Sequence, residues 1–334
     1  MKIELAKNEN IHFVGIGGIG MSGLALIMKS MGFKIQGSDI SSNKNTERLK
    51  KNKIKIFIGH SKKNIDKATI LVISSAIKKN NSEVQKAKIK NLPIYKRGDM
   101  LAHIVSLTQN IVVSGSHGKT TTTSLISGIF AKAKLDPTII NGGVLNSLQN
   151  SAKLGKSKWC VLESDESDGS FVKVPPTYSV VTNVDREHMD YYKSMDKLKN
   201  HFLYFINKVP SFGKSFICID DQVNNEIIRK IKTKNFYTYG VNKNSNFRIK
   251  NVRQYRELSI FDIDISLPAK QKTILKNVNI PLLGLHNIRN STAAAAVGFT
   301  IGISKKIIKE SLSKLEGVQR RFNKIFSYKG VNFF

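Results

Sequence analysis

The segment 111–123, IVVSGSHGKTTTT, constrains the fold of this chain more than any other. Its β-branched start predicts a buried strand, Gly115 and Gly118 bracket a short loop, and Lys119 and Thr120 open a stretch with helical apolar spacing. A strand, a glycine loop, a lysine and a helix N-terminus form a cradle for phosphate groups, and the threonine hydroxyl can bind Mg²⁺. The loop is shorter than the standard motif, so a plain turn with a solvated lysine is the alternative. We favour a nucleoside triphosphate site.

A second glycine motif stands near the N-terminus. The predicted strand 11–14 runs into Gly15, Gly17 and Gly20, which satisfy G-x-G-x-x-G, and a helical pattern follows. Such a loop seats a diphosphate on a helix N-terminus. Asp39, at the end of the next strand, is placed to accept a hydrogen bond from a ribose hydroxyl, although a simple strand-end cap stays open. The motif alone does not distinguish NAD from a nucleotide sugar.

Polar residues end the next two strand-like segments, 53–60 and 68–77. His60 and Ser75 would lie at the ligand edge of a parallel sheet, although a purely structural role for His60 is equally open. A short strand and a helix over 92–105 complete this Rossmann-like unit. We predict a domain boundary after residue 108.

Acidic residues follow a buried strand, 159–162, in the second predicted domain. Glu163, Asp165, Glu166 and Asp168 stand close together there. Mg²⁺ needs hard oxygen ligands, and acids beside a phosphate cradle commonly supply them. The segment therefore predicts a magnesium site, with a solvated acidic loop as the alternative.

A histidine follows the next predicted strand, 178–182. His188 lies in the run NVDREHMD, just past the strand end and at the same sheet edge as the other candidate sites. A lone histidine usually caps a helix or packs in the core. Because of its position, we favour a role at the metal or phosphate.

The remaining chain predicts an extended sheet and a further helix. The segment 138–143 is typical of a strand that runs into a glycine turn, and 211–281 favours a βαβ sheet with an antiparallel extension. In the helix predicted over 284–299, Asn287 and Asn290 share a face or simply cap its start. The apolar end of the chain is typical of the first half of a hairpin. We therefore expect a truncated further domain.

Composition separates this chain from several classes of protein. Its 40% hydrophobic and 23% charged residues are those of an ordinary globular protein. The net charge of +30 suggests nucleic-acid binding, but the lysines are scattered and no such motif is present, so we expect no nucleic-acid partner. Cys160 and Cys218 are too few for a disulfide framework. With no signal-peptide or membrane-spanning pattern, we expect a cytoplasmic monomer or weak homodimer with free thiols and no membrane partner.

Six motifs occur together: HFVGIGGIGMSG (12–23), GSHGKTTT (115–122), ESDESDGSF (163–171), VTNVDREHMD (181–190), GLHNIRNSTAA (284–294) and GVQRRF (317–322). In this order and spacing, over nearly the whole chain, they resemble the Mur ligases. The resemblance implies a UDP-sugar-binding Rossmann-like α/β domain (1–108), a central P-loop-type ATPase α/β domain (109–317) and the start of an amino-acid-binding domain (318–334). It further implies an ATP-dependent ligase of peptidoglycan synthesis, which joins L-alanine to the lactyl carboxylate of UDP-N-acetylmuramate through an acyl phosphate.

The resemblance also implies roles for individual residues. It places the UDP-sugar diphosphate on Gly17, Gly18, Ile19 and Gly20. It places the ATP phosphates on Gly115, Ser116, His117, Gly118, Lys119, Thr120 and Thr121, with Lys119 on the outer ones. Thr120, Glu163 and His188 would hold or neighbour Mg²⁺, with Glu166 as the second choice to Glu163, and the catalytic group would be Lys119, Glu163 and His188. His286, Asn287 and Asn290 would approach the adenine, and Arg321 would reach the nucleotide from the domain junction.

Two departures from the family pattern bear on function. Ser116 stands where threonine is usual, and this change keeps the hydroxyl group. The chain also ends before most of the third domain, which leaves open whether it binds L-alanine and turns over. Three other functions therefore remain. The first is a NAD-dependent dehydrogenase, which would leave the second phosphate cradle unexplained. The second, a closer rival, is a ligase that attaches a preformed peptide to the same UDP-sugar. The third is a fragment that binds nucleotides without turnover.

Overall fold

The computed structural model describes residues 8–145, 150–268, 271–314, 326–328 and 331–333. The first part of the chain forms a five-stranded, wholly parallel sheet in the order β3-β2-β1-β4-β5. Its strands are β1 (Asn10–Val14), β2 (Lys34–Asp39), β3 (Lys55–Ile58), β4 (Ile70–Ile73) and β5 (Ile94–Lys96). Because the strands are parallel, the glycine loop after β1 and Asp39 after β2 lie at the same edge.

A ten-stranded sheet forms the second part. Its strands are β6 (Gln109–Ser114), β7 (Thr138–Leu145), β8 (Asn150–Lys153), β9 (Trp159–Glu163), β10 (Tyr178–Val181), β11 (Lys214–Cys218), β12 (Phe236–Gly240), β13 (Phe247–Gln254), β14 (Ser259–Ile265) and β15 (Thr273–Ile280). Their order is β15-β14-β13-β12-β11-β10-β6-β9-β7-β8. Strand β6 pairs in parallel with both β9 and β10, so three functional loops leave the sheet side by side.

Helices cover the sheets and bury their apolar faces. The bounds are α1 (Ile19–Ser30), α2 (Lys44–Lys51), α3 (Ser82–Ile89), α4 (Arg97–Ser106), α5 (Lys119–Lys132), α6 (Met189–Tyr192), α7 (Met195–Asn207), α8 (Gln222–Ile228), α9 (Leu285–Ile301) and α10 (Lys305–Ser313). The alanine run of α9 is buried and packs this helix closely against α5, which begins at the phosphate loop. The α5 N-terminus is therefore fixed by a well-packed core.

Most predicted elements are present, and the antiparallel extension is confirmed in the pairing of β13, β14 and β15. The predicted glycine turn at 142–143 is wrong, because β7 continues through both glycines and pairs with β8 in a hairpin. At the end of the described chain, β16 (Phe326–Tyr328) and β17 (Val331–Phe333) pair antiparallel, as the hairpin pattern predicts.

Both cysteines are free and buried, as expected from their number. Burial raises the pKa of each thiol to about 12, so neither is a reactive thiolate at neutral pH. Across the described ranges, every helix is too short or too polar to cross a bilayer.

Candidate functional site

The phosphate loop lies between β6 and α5 and needs glycine at both ends of its turn. Gly115 and Gly118 have φ of +135° and +83°. A Cβ on Gly115 would lie 2.2 Å from Thr182 Oγ1, and one on Gly118 would lie 2.7 Å from Asn290 Oδ1. The first turn of α5 presents N–H groups that have no intrahelical partner, and its dipole favours an anion. The predicted strand, glycine loop and helix N-terminus are therefore present, and phosphate binding there stays a prediction.

Lys119 and Thr120 each contact an acid, one in the loop after β9 and the other at the last residue of that strand. Lys119 Nζ donates to the carbonyl oxygens of Gly115 (2.6 Å) and Ser116 (3.0 Å) and to Glu166 Oε2 (2.9 Å). Thr120 Oγ1 donates to Glu163 Oε2 (2.9 Å). Thr121 is half-buried in the same helical turn. The predicted phosphate-binding lysine and the two candidate metal-binding acids thus meet in one place.

Glu166 is the most buried acid of this centre, with a side chain 1% exposed. Burial raises its pKa, and the Lys119 ammonium opposes that shift. Its Oε2 bonds Lys119, whereas the buried Oε1 has no hydrogen-bond partner and lies 3.7 Å from His188 Nε2. An orphaned carboxylate oxygen of this kind fits a cation. Within the described ranges, Asp165, Glu166 and His188 bring ligand atoms within 4.8 Å of one another, so the donor set suits Mg²⁺.

His188 has a strained backbone. It adopts φ +55° and ψ +37°, a left-handed conformation that few non-glycine residues take, at the start of α6. At the end of α6, Tyr192 donates its hydroxyl to the Glu166 carbonyl oxygen (2.5 Å). This bond ties α6 to the acidic loop and holds His188 beside Glu166. Asp168 is exposed on the same loop, where its side chain accepts from Ser170 N.

Two residues at the end of β10 hold the phosphate loop, and sequence reasoning did not single them out. Asn183 accepts from His117 N (2.8 Å) and donates back to the His117 carbonyl oxygen (3.0 Å), to which Thr182 Oγ1 also donates (2.6 Å). The Asn183 carbonyl oxygen accepts from Ser116 N (3.0 Å). The exposed ring of His117 lies 3.0 Å from Asp185. The available signal was the run TNVD directly after a strand that neighbours β6.

The start of α9 supplies the residues expected near the nucleotide base. Asn290 is buried and touches Gly118, so it borders the phosphate loop. Asn287 donates to the Leu283 carbonyl oxygen (2.7 Å), and the exposed ring of His286 lies against Gly284. Arg321, expected at the domain junction, lies outside the described residues.

The glycine loop of the first sheet is braced by a carboxylate. Gly17 N donates to Asp39 Oδ2 (2.7 Å), and a Cβ on Gly17 would lie 2.8 Å from the same oxygen. Asp39 therefore holds the loop. Gly18, Ile19 and Gly20 are exposed at the α1 N-terminus, where no side chain caps the helix. The positive end of the α1 dipole at this position favours an anion.

His60 and Ser75 have different surroundings. Ser75 is exposed after β4, and its neighbour Ser74 is the one that packs near Gly15. His60 is half-buried after β3, with Nδ1 3.0 Å from Ser38 Oγ and 3.2 Å from Glu83 Oε2. Sequence reasoning missed Glu83, because an acid in the first turn of a helix usually serves only the helix dipole.

The two loop systems meet at the junction between the sheets. Arg97, the first residue of α4, lies with Cδ and Nη1 3.3 Å from where a Cβ on Gly20 would be. Burial of the Asp168 carboxyl group opposes its ionisation, yet hydrogen bonds from Ser170 and the charge of Arg97 hold its pKa below the ordinary value. An ion pair between Asp99 and Lys173 (2.6 Å) joins the same two segments. Arg97 therefore lies beside the glycine loop and acts on the acidic loop.

Comparisons with known proteins agree with this architecture. Residues 10–109 match the Mur ligase family catalytic domain, and residues 113–298 match the Mur ligase middle domain. The UDP-N-acetylmuramate--L-alanine ligase of Pelagibacter ubique is 69% identical over 334 residues, which are 100% of this chain and 72% of that relative.

Two solved structures extend the comparison. The UDP-N-acetylmuramate-alanine ligase MurC of Thermotoga maritima matches 97% of this chain and 72% of its own, with a TM-score of 0.78 and 26% identity. The UDP-N-acetylmuramate:L-alanyl-gamma-D-glutamyl-meso-diaminopimelate ligase of Neisseria meningitides matches 93% of this chain and 99% of its own. The TM-score is 0.80 and the sequence identity is 25%. With two domain matches and a close relative covered over most of its length, this chain belongs to the Mur ligase family.

Proposed function

We propose that this chain is a ligase that uses ATP to join L-alanine to the lactyl carboxylate of UDP-N-acetylmuramate in peptidoglycan synthesis. The observation that carries the proposal is the position of Arg97, which lies beside the glycine loop at Gly20 and acts on Asp168 of the acidic loop, while Glu166 of that loop bonds Lys119 of the phosphate loop. The 69% identity to the Pelagibacter ubique ligase supports the same substrates. We assign residues 1–108 to the sugar nucleotide, 109–317 to ATP and 318–334 to the start of an amino-acid-binding domain, and we place the reaction in the cytoplasm.

ATP binding in this proposal rearranges Lys119. In the structure its ammonium group bonds two loop carbonyl oxygens and Glu166. Phosphate oxygens in the cradle would replace some of these acceptors, so that Lys119 offsets charge on the transferred group. The N–H groups of the α5 N-terminus bind the same phosphates.

The reaction needs activation of the carboxylate, because a carboxylate and an amine do not condense unaided in water. A lactyl carboxylate oxygen attacks the γ-phosphorus of ATP, the bond to the β–γ bridging oxygen breaks, and ADP leaves with that electron pair. The L-alanine amine then attacks the acyl carbon, phosphate leaves, and the nitrogen loses a proton. The protein contributes mainly position and charge neutralisation.

The acidic centre fits the metal that such chemistry uses. Thr120, Glu163, Glu166 and His188 would hold Mg²⁺, since one carboxylate oxygen of Glu166 is buried without a partner. When bound, the ion neutralises negative charge on the phosphate oxygens. Glu163 ends β9 and Glu166 lies in the loop that follows, and each already bonds a residue of the proposed phosphate cradle.

Calorimetric titration with UDP-N-acetylmuramate tests the proposal, with NADH as the parallel control. Binding of the sugar nucleotide without NADH binding is the expected result, because a relative that is 69% identical is a UDP-N-acetylmuramate ligase and the glycine loop braced by Asp39 would seat the diphosphate. Binding of NADH alone would contradict the proposal and indicate a dehydrogenase.

Turnover assays with L-alanine and with a preformed tripeptide then separate the two ligase types. Bound ATP without phosphate release would indicate a nucleotide-binding fragment.

A further inference from the structure

The acidic loop makes a tight turn directly after its most buried carboxylate. Gly169 N donates to the Glu166 carbonyl oxygen (3.0 Å), and Gly169 is left-handed, with φ +67°. A bond from the fourth residue of a segment to the first defines a β-turn, so residues 166–169 form one, here called the acidic turn. The Glu166 side chain leaves the first residue of this turn to bond Lys119. The direction of that side chain therefore depends on how the acidic turn is held.

Two adjacent tyrosines of α6 contact the acidic turn, one at each end. Tyr192 is fully buried, and its hydroxyl donates to the Glu166 carbonyl oxygen (2.5 Å). The Tyr191 ring lies against Gly169, where a Cβ would be 2.5 Å from the Tyr191 hydroxyl and 2.7 Å from Cε1. The first residue of the turn is thus hydrogen-bonded by one tyrosine, and the last is covered by the other.

The two tyrosines are held in turn by each other and by α7. Their rings meet edge to face, with the centroids 4.9 Å apart. The His201 ring packs edge-on against Tyr192, at 5.2 Å between centroids, and Lys197 Nζ lies 5.5 Å from the centroid of the Tyr191 ring. Edge-to-face and cation–π contacts of this kind favour one ring orientation. The Tyr192 hydroxyl is therefore presented to the acidic turn by a packed framework.

The same short helix places the histidine of the acidic centre. The His188 carbonyl oxygen accepts from Tyr191 N and Tyr192 N, each at 3.0 Å. His188 and Lys193, which flank α6, are both left-handed, with φ of +55° and +64°. Left-handed residues other than glycine cost free energy and persist where surrounding contacts determine them. The tyrosine contacts supply this restraint, and they leave His188 Nε2 3.7 Å from Glu166 Oε1.

We infer that Tyr191 and Tyr192 are positioning residues that shape the acidic centre for a divalent cation, chiefly through the Tyr192 hydroxyl on the main chain of Glu166. The inference rests on the proposed function only for the presence of that cation. Because Glu166 Oε1 is buried without a hydrogen-bond partner, the direction of this side chain decides where the oxygen meets an ion. Loss of the Tyr192 hydroxyl should therefore weaken cation binding while all the candidate ligands remain.

Binding of Mn²⁺ alone to the whole chain tests the inference without turnover, since Mn²⁺ suits the same oxygen ligands as Mg²⁺. The electron paramagnetic resonance signal of free Mn²⁺ measures how much is bound, and Glu166→Gln identifies the site by removing the orphaned oxygen. Tyr192→Phe keeps the ring and removes only the hydroxyl. We expect it to weaken Mn²⁺ binding about tenfold, as is typical when a bond that orients a metal ligand is lost. Affinity for ADP without metal should be retained.

Tyr239→Phe is the matched control for this change. Tyr239 is buried, and its hydroxyl also donates to a main-chain oxygen, that of Val181 (3.4 Å). This variant should keep the wild-type affinity for Mn²⁺, and urea unfolding measures the stability of both phenylalanine variants. Equal Mn²⁺ affinity in Tyr192→Phe and the wild type would overturn the inference. An equal loss of affinity in both variants would overturn it too, because that loss would follow from stability alone.

Tyr191→Ala is a second test, which decides the matter if Tyr192→Phe does not fold. The Tyr191 side chain is 40% exposed, and its removal uncovers Gly169 at the other end of the acidic turn. Mn²⁺ binding should weaken, whereas Tyr204→Ala, at another exposed tyrosine with a lysine over its ring, should leave it unchanged. Wild-type affinity in Tyr191→Ala would contradict the inference. A wild-type chain that binds no Mn²⁺ would instead contradict the metal centre of the proposed function.

Discussion

At the scale of single residues, Lys119 connects the phosphate loop to the acidic loop. Lys119→Ala removes the ammonium group that bonds Gly115, Ser116 and Glu166. We expect this change to abolish ATP hydrolysis, because a cation at the transferred phosphoryl group stabilises the transition state by about 3 kcal/mol or more. Binding of UDP-N-acetylmuramate should stay nearly intact, since the glycine loop belongs to the other sheet. Phosphate release and calorimetric titration measure the two effects, and equal loss of both would contradict these roles.

Glu166 carries a second prediction at this scale. Glu166→Gln keeps the shape of the side chain but removes the charge beside Lys119 and the orphaned oxygen near His188. We expect the Mg²⁺ concentration for half-maximal ATP hydrolysis to rise about tenfold or more, the loss typical of a disturbed metal site. ADP binding without Mg²⁺ should be unchanged or tighter, because Lys119 is released. The control is Asp190→Asn, which changes a nearby exposed acid. If both variants showed the same dependence on Mg²⁺ concentration, Glu166 would not be a metal ligand.

The site residues that could be predicted lie within a recognisable sequence motif. The residues that were missed reach the site only through contacts made in the folded chain. Lys119, Thr120 and the acids Glu163 and Glu166 were predicted, and the structure brings them within hydrogen-bond distance. Whether they bind nucleotide and metal remains a prediction. Asn183 follows a strand that neighbours β6 only in the folded sheet, so nothing local marks it as a partner of the loop. Long-range pairing of this kind is invisible to spacing alone.

At the scale of elements, the end of β10 fixes the shape of the phosphate loop. Asn183→Ala removes one bond to His117 N and one to the His117 carbonyl oxygen. Each such bond contributes about 1 kcal/mol, so we expect the free energy of unfolding to fall by about 1–2 kcal/mol and nucleotide affinity to fall about tenfold. Urea unfolding and ADP titration measure both quantities.

Asn244→Ala provides the control for that change, because Asn244 is exposed in a loop after β12. Asn183→Asp should recover part of the affinity, since a carboxylate can still accept from His117 N. An Asn183→Ala variant with unaltered nucleotide affinity would show that the loop keeps its shape without this clamp.

The elements themselves were predicted where periodicity was strong and missed where tertiary contacts decide. The apolar runs of β1, β6 and β9 gave clear strands because both faces of a parallel sheet are buried. The glycines at 142–143 suggested a turn, but they lie within β7, at the irregularity between Ile140 and Leu145 in its pairing with β8. Helix α7 was not predicted, although its apolar residues Leu198, Phe202 and Phe205 all face the core.

At the scale of the whole molecule, acid stability depends on the buried carboxylate of Glu83. Its pKa lies near 2, against an ordinary value of 4.5, so the folded protein binds this proton more weakly than the unfolded chain does. The resulting stabilisation, of the order of 3 kcal/mol, is complete above about pH 4.5 and is lost as pH falls towards 2. Glu83→Gln should therefore lower the free energy of unfolding at pH 7 and flatten its decline between about pH 5 and 3. Urea unfolding across this range measures the slope, and Glu47→Gln should keep the wild-type slope because exposed ion pairs contribute little. If Glu83→Gln also kept the wild-type slope, the acid sensitivity would have to arise from other carboxylates, and Glu83 would not be the buried anion that organises the first sheet.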